Sequence, residues 1–297
     1  MSNFGTRLIG AIKSKGQKME SEMSFFSHLE ALRWHLIRAG VAILAFAIVA
    51  FIYFDSIFAN IIMAPTKPTF WTYRMMCNAG AWLHSVFSFL DPKGFCVEKI
   101  DVELINTELA GQFNLQLNSS IMIGLILGLP YLLYELWKFI RPALHDKERK
   151  AAGGFVFYSS FLFMLGVLFG YYVVTPLSVR FLASYIVSDK IKNLFSIDSF
   201  ISSETMLTLI AGIVFQLPII VYILSSLGIL TPQFMRSKRR YATIIILVLA
   251  AIITPSPDAL TMLVVAMPLF LLYEFSIMVS AIVVRRKAKR EKEEANA

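Results

Sequence analysis

The chain has 297 residues, 57% of them hydrophobic and 16% charged, with a formal net charge of +8 and a mean hydropathy of +0.66. A soluble domain carries about 25% charged residues, so this balance leaves too little polar surface for a soluble fold and implies an all-α, polytopic membrane protein. The positive excess is explained by membrane topology and attraction to anionic headgroups and calls for no nucleic acid.

Residues 1–27 form a basic tail with no apolar run ahead of the first span, so no cleavable leader is expected and the first span stays as an anchor. A spanning helix needs about 20 mostly apolar residues. Candidates run over Leu36–Phe58, Leu115–Trp137, Phe155–Pro176, Met206–Leu227, Tyr241–Ile253 and Leu260–Val284, the fifth short enough to need local thinning of the bilayer or shelter by protein. Six spans over residues 28–284 are therefore expected, with an external cap loop at 59–114 and a charged tail at 285–297. Most of the 28 Lys and Arg residues lie in the N-terminal tail, in the connections around Lys138–Lys150 and Arg236–Arg240, and after Val284. The positive-inside rule then puts both termini in the cytoplasm.

The long cap loop carries Trp71, Trp82 and both cysteines, Cys77 and Cys96. On the external side disulfides persist, and these two are expected to pair. Prolines at 130, 176, 218 and 268 each remove a backbone hydrogen bond and tend to kink a helix, which favours a curved bundle.

No nucleophile elbow, zinc motif or phosphate-binding loop occurs, and His28, His35, His84 and His145 are scattered. The chain is not expected to be an enzyme or to need a metal or cofactor. Attention falls on polar residues. Glu30 follows Ser27 in a capping-box pattern and either caps the first helix or offers a carboxylate at the membrane surface. Trp137 and Tyr134 read as an interfacial aromatic belt. Glu148 either sits on the dipole at the start of the third span or serves a ligand. Gln216 either repairs the bond broken by Pro218 or marks a functional face. Thr231-Pro232 starts a short helix, and Asp258 N-caps the last span.

In order and spacing, His28-Leu29 with Leu32-Arg33, Ala64-Pro65, Pro130 through Arg149, Phe215-Gln216-Leu217-Pro218, Leu227 through Pro232, Thr254 through Asp258, and Pro268 with Tyr273-Glu274 resemble the TatC family of the twin-arginine, Sec-independent protein translocase. The resemblance implies a kinked, cup-shaped six-span receptor in a bacterial inner membrane. It would bind twin-arginine signal peptides of folded precursors, assemble as a hetero-oligomer with single-span partners, and draw on the proton-motive force. By position it implies a signal-peptide site built from Glu30, Arg33, Phe139, Glu148 and Arg149, an intramembrane polar face at Gln216 and Pro218, and external structural roles for Pro65 and Asp258. The family pattern has a glutamate directly before Leu-Arg, where this chain has Ala31, and often a glutamate where Gln216 stands. The alternative is an ion-coupled small-molecule transporter, for which repeated halves and paired buried charges are expected; neither is visible in the sequence.

Overall fold

The computed structural model describes residues 29–86, 103–140, 154–185, 188, 194–254 and 259–295. Helix α1 (Leu29–Ile52) is followed by the short α2 (Phe54–Ile57), a π-helical turn (Phe58–Ile62) and a 3-10 turn (Ala64–Thr66). Then come α3 (Trp71–Val86), strand β1 (Glu103–Ile105) and the long α4 (Gly111–Ile140). Helix α5 (Phe155–Phe169) passes through a second π turn (Gly170–Val174) into α6 (Thr175–Ser184), and strand β2 (Leu194–Ser196) leads into α7 (Ile197–Val214). Helices α8 (Leu217–Ser226), α9 (Pro232–Ser237), α10 (Arg239–Ile253) and α11 (Ala259–Ala295) complete the chain.

Among the described residues, five helical stretches are long and apolar enough to cross a membrane: Leu29–Ile52, Gly111–Ile140, Val156–Ser184, Ile197–Ser226 and Thr261–Lys289. The sixth expected crossing is α10, whose 15 residues reach about 22 Å at 1.5 Å each. That is short of the hydrocarbon thickness of about 30 Å, in line with the brevity read from sequence. The first crossing already includes Leu29, ahead of the expected Leu36, because a helix propagates through the polar turn ahead of its apolar stretch. The fourth starts at Ile197, ahead of Met206, for the same reason. The described elements run between a cap end, which carries α3 and the paired strands, and a basic end, where Lys138 lies in the last turn of α4 and Arg236, Lys238 and Arg239 lie where α9 meets α10.

Small residues set the helix contacts. A Cβ placed on Gly124 would lie 2.6 Å from Ala47 and one on Gly128 2.6 Å from Ile43, so α4 meets α1 backbone to backbone. Likewise a Cβ on Gly166 or Gly170 would strike Ala211, Gly212 or Thr208 of α7. Both pairs are glycines four apart, the spacing by which membrane helices approach closely and gain dispersion energy where lipid removes the hydrophobic drive. Helix α11 packs along α8 and α10, with Ser225 Oγ and Ser280 Oγ hydrogen-bonded at 2.8 Å in a buried seam. The core there joins Val174, Phe215, Ile246, Ala250, Val265 and Leu269.

The prolines divide into two kinds. Helical structure runs through Pro130 and Pro268 and, after a π turn, through Pro176, whereas Pro218 stands in the first turn of α8, at a break in its span. Thr231 caps α9 as expected, its Oγ1 accepting from the Phe234 amide at 3.3 Å, with Pro232 at the start of that helix. The cap end is not purely helical. β1 and β2 pair in parallel, Leu104 opposite Phe195, tying the segment before α4 to the segment before α7.

A single tyrosine fastens the cap. Tyr73 is 2% exposed, and its hydroxyl donates to the carbonyls of Pro65 (2.9 Å) and Pro176 (3.2 Å). Desolvation holds its ionisation well above the usual phenol range, partly offset by Arg180. Neighbouring Thr72 donates to the Tyr172 carbonyl, and Phe70 stacks on Tyr172 with ring centroids 5.6 Å apart.

Candidate functional site

At the basic end, the last turns of α4 meet the first turns of α1. Glu135 is 3% exposed. His35 Nδ1 stands 2.5 Å from Glu135 Oε2, and the Tyr131 hydroxyl donates to Oε1 at 3.0 Å. With its proton on Nδ1, the imidazole donates to a carboxylate, a charge-assisted bond stronger than a neutral one. The three residues converge because Tyr131 and Glu135 are one turn apart on α4, while His35 faces them from α1. Phe139, one turn further along, sets its ring edge-on to His35 with centroids 6.2 Å apart. Glu30 and Arg33 are exposed on the first turns of α1, where Arg33 borders a shallow groove with Leu29, Leu32 and Leu36. Glu148 and Arg149 lie outside the described residues.

Trp137 is 6% exposed and faces the bundle. It does not belong to an interfacial belt; Tyr134, 42% exposed, keeps that character. A basic first turn opposes the α10 dipole, and Arg239 there is held by Glu274 of α11 at 2.7 Å. Beside Glu274, the Tyr273 hydroxyl donates to the Met235 carbonyl at 2.8 Å, so this tyrosine–glutamate pair ties α11 to α9 and α10.

In mid-bundle, Gln216 is 7% exposed and engaged with α5. Its Oε1 accepts from Ser159 Oγ and its Nε2 donates to the Ser159 carbonyl, both at 3.0 Å. The amide therefore bridges two spans and does not repair the backbone opened by Pro218. Pro65 is buried as a Tyr73 acceptor. Cys77 is disulfide-bonded, while Cys96 and Asp258 lie outside the described residues.

Sequence reasoning overlooked Glu135 and Glu204. With α7 starting at Ile197, Glu204 falls inside the helix and is 5% exposed, so the fourth crossing holds an ionisable group that the apolar window from Met206 left out. The signal was present as a helical stripe. Ile201, Glu204, Thr208, Ala211 and Phe215 recur at three- and four-residue intervals, the period of one helix face. His35 and Glu135 lie on different spans, and no local pattern pairs them.

A family model described as Sec-independent protein translocase protein (TatC) matches residues 27–268. The chain belongs to the TatC family. It is 36% identical over 268 residues to the TatC protein of Blattabacterium sp. subsp. Periplaneta americana, an alignment covering 90% of this chain and 98% of that one. It is 30% identical over 261 residues to TatC of Carboxydothermus hydrogenoformans, covering 88% and 94%. A crystal structure of the twin arginine translocase receptor TatC superposes with a TM-score of 0.60 at 31% identity, over 86% of this chain and 99% of that one. A second, in the detergent DDM, gives 0.62 over 85% and 99%. As a TatC family member the chain is a multi-pass component of the twin-arginine translocase that works with other Tat subunits, and it is a transport protein with no catalytic role.

Proposed function

We propose that the chain is the signal-peptide receptor of its translocase, binding consecutive arginines at the basic end. One observation carries this reading: the exposed first turns of α1, with Glu30 and Arg33, and the end of α4, with Phe139, are joined at that end through His35, which touches both Glu135 and Phe139. Paired guanidinium groups call for planar carboxylates that accept bidentate bonds. Glu30 supplies one at the rim and Glu148 the other, in the connection that continues from Phe139, with Arg149 beside it. Phe139 offers an apolar face to the leader's hydrophobic stretch.

The charge distribution supports a bacterial inner-membrane orientation with both termini in the cytoplasm: residues 1–27 and 285–297 form basic cytoplasmic tails, residues 28–284 the membrane domain, and 59–114 the external cap. Single-span subunits complete the passage, and the proton-motive force drives it. The sequence carries no phosphate-binding loop that would tie transport to a nucleotide.

Peptide capture by the purified protein tests the reading. A leader with two arginines should bind, and Glu148→Ala should weaken it by about 1–3 kcal/mol, the worth of a hydrogen bond to a charged group. Equal capture of a twin-lysine leader, or labelling that puts residue 148 on the outer face, overturns it. Glu30→Gln keeps a polar side chain in the first turn and removes the charge; unchanged binding there assigns Glu30 to the helix start alone.

A further inference from the structure

Four buried side-chain oxygens find no hydrogen-bond partner among the described residues: Ser120 Oγ, Thr175 Oγ1, Thr208 Oγ1 and Glu204 Oε2. Three of them line two adjoining cavities, and Glu204 borders both. The first cavity, about 340 Å³, lies between α6, the start of α7 and the end of α10, with Thr175 and Glu204 in its wall. The second, about 430 Å³, lies between α4, the two π turns and α7, with Glu204 and Thr208. A buried acid with an oxygen lacking any donor is costly. Native proteins rarely leave one so, and a donor supplied from outside the chain removes the cost.

Chemistry and depth say what kind of donor. Among the described residues no Lys, Arg or His lines either cavity, so none of them matches the carboxyl in charge. Ser196, Ser199 and Ser203 contribute polar surface to the first cavity, and Leu207, Ile210 and Ile252 contribute apolar surface. Ser199 and Ser203 are exposed, as is Ile252 at 73%, so the mouth opens outward, toward the surroundings of the bundle. The helical stretch Ile197–Ser226 has 30 residues, about 45 Å at 1.5 Å each, equal to a bilayer with its headgroups. Hydrocarbon then begins about 7 Å inside each end. Glu204, about 10 Å along from Ile197, stands at the boundary between headgroup and acyl chain on the cap side.

We propose that this pocket binds an aminophospholipid of the cap-side leaflet, its primary ammonium donating to Glu204. The hydroxyls of Ser196 and Ser199 donate to the phosphodiester and ester oxygens, Ser203 already donating to the Ser199 carbonyl, and one acyl chain lies along Leu207, Ile210 and Ile252. The ammonium head supplies the donor that Glu204 lacks. A quaternary choline head has no N–H to give, and a glycerol head brings no cation. The pocket thereby discriminates headgroups and does not simply prefer lipid over detergent.

The test uses the full chain purified in maltoside detergent with equimolar phosphatidylethanolamine, phosphatidylcholine and phosphatidylglycerol of identical acyl chains. Retained lipid is counted by native mass spectrometry. Retention of phosphatidylethanolamine should exceed that of phosphatidylcholine at least fivefold, and Glu204→Gln should bring the ratio close to one. Ile252→Trp, at an exposed position, should block the mouth and reduce retention of all three, which keeps the idea testable if the first variant folds poorly. Equal retention of the choline and ethanolamine lipids by the unaltered protein, an undiminished preference in Glu204→Gln, or undiminished total retention in Ile252→Trp overturns the proposal. Failure here leaves peptide capture at the basic end untouched, because the two sites share no residue.

Discussion

Two buried glutamates mark opposite ends of the molecule and differ in one respect. Glu135 is reached by donors from two helices, His35 on α1 and Tyr131 on its own α4. Glu204 has an oxygen that none of the described donors reaches, although it is nearly as buried, 5% against 3% exposed. A satisfied acid joins helices; an unsatisfied one leaves bonding capacity for a ligand. The contrast is not in residue type or burial but in what neighbouring spans present, and it teaches that burial of a charge becomes informative only once its partners are counted.

Substitution should separate the two acids. Glu135→Ala leaves His35 and Tyr131 without their acceptor and should lower stability by about 2 kcal/mol, read as the unfolding midpoint in detergent. Glu204→Gln should be neutral or stabilising in lipid-free detergent, because no partner is lost. Equal destabilisation by the two changes breaks the comparison. Between them in depth, Gln216→Leu strands the Ser159 hydroxyl and should cost about 1 kcal/mol, within the range for hydrogen bonds between membrane helices; Gln216→Glu, which restores the acid frequent in the family, keeps the acceptor for that hydroxyl.

A loss comparable to that of Gln216→Leu is expected at the cap. Tyr73→Phe removes the one hydroxyl proton shared between two carbonyls and should cost roughly 0.5–1.5 kcal/mol. Burial raises the ionisation of this phenol in the folded state, so the folded protein keeps the proton at pH values where the unfolded chain, with a phenol near 10, has lost it. Stability from Tyr73 is therefore complete below about pH 10 and declines as pH rises beyond it. The unaltered protein should lose stability above that pH more steeply than Tyr73→Phe, measured as unfolding midpoints from pH 8 to 11.

Much of the architecture is legible along the chain, because spanning helices answer to local rules. Each must satisfy its own backbone in lipid and be long enough to cross, so apolar windows find the crossings, and Thr231-Pro232 announces α9 by cap chemistry alone. The misread boundaries share a cause: a helix continues through polar residues at its ends, and the fourth crossing gained the turns that contain Glu204. The glycine pairs 124/128 and 166/170 were readable by spacing, although only the structure shows which helices they meet.

For the candidate sites the division is sharper. Glu30, Arg33 and Phe139 are recognisable from family-like order, and Gln216 from its isolation in an apolar run. That Gln216 turns to Ser159, that Trp137 points inward, and that His35 meets Glu135 across a hundred residues depend on helix rotation and neighbour choice. Sequence by itself determined the apolar crossings and the membership of the family, since hydropathy and capping act within a few residues. Only tertiary structure decided which buried polar groups are paired and which are not, because a hydrogen bond between spans depends on distances of a few ångströms between residues far apart in the chain.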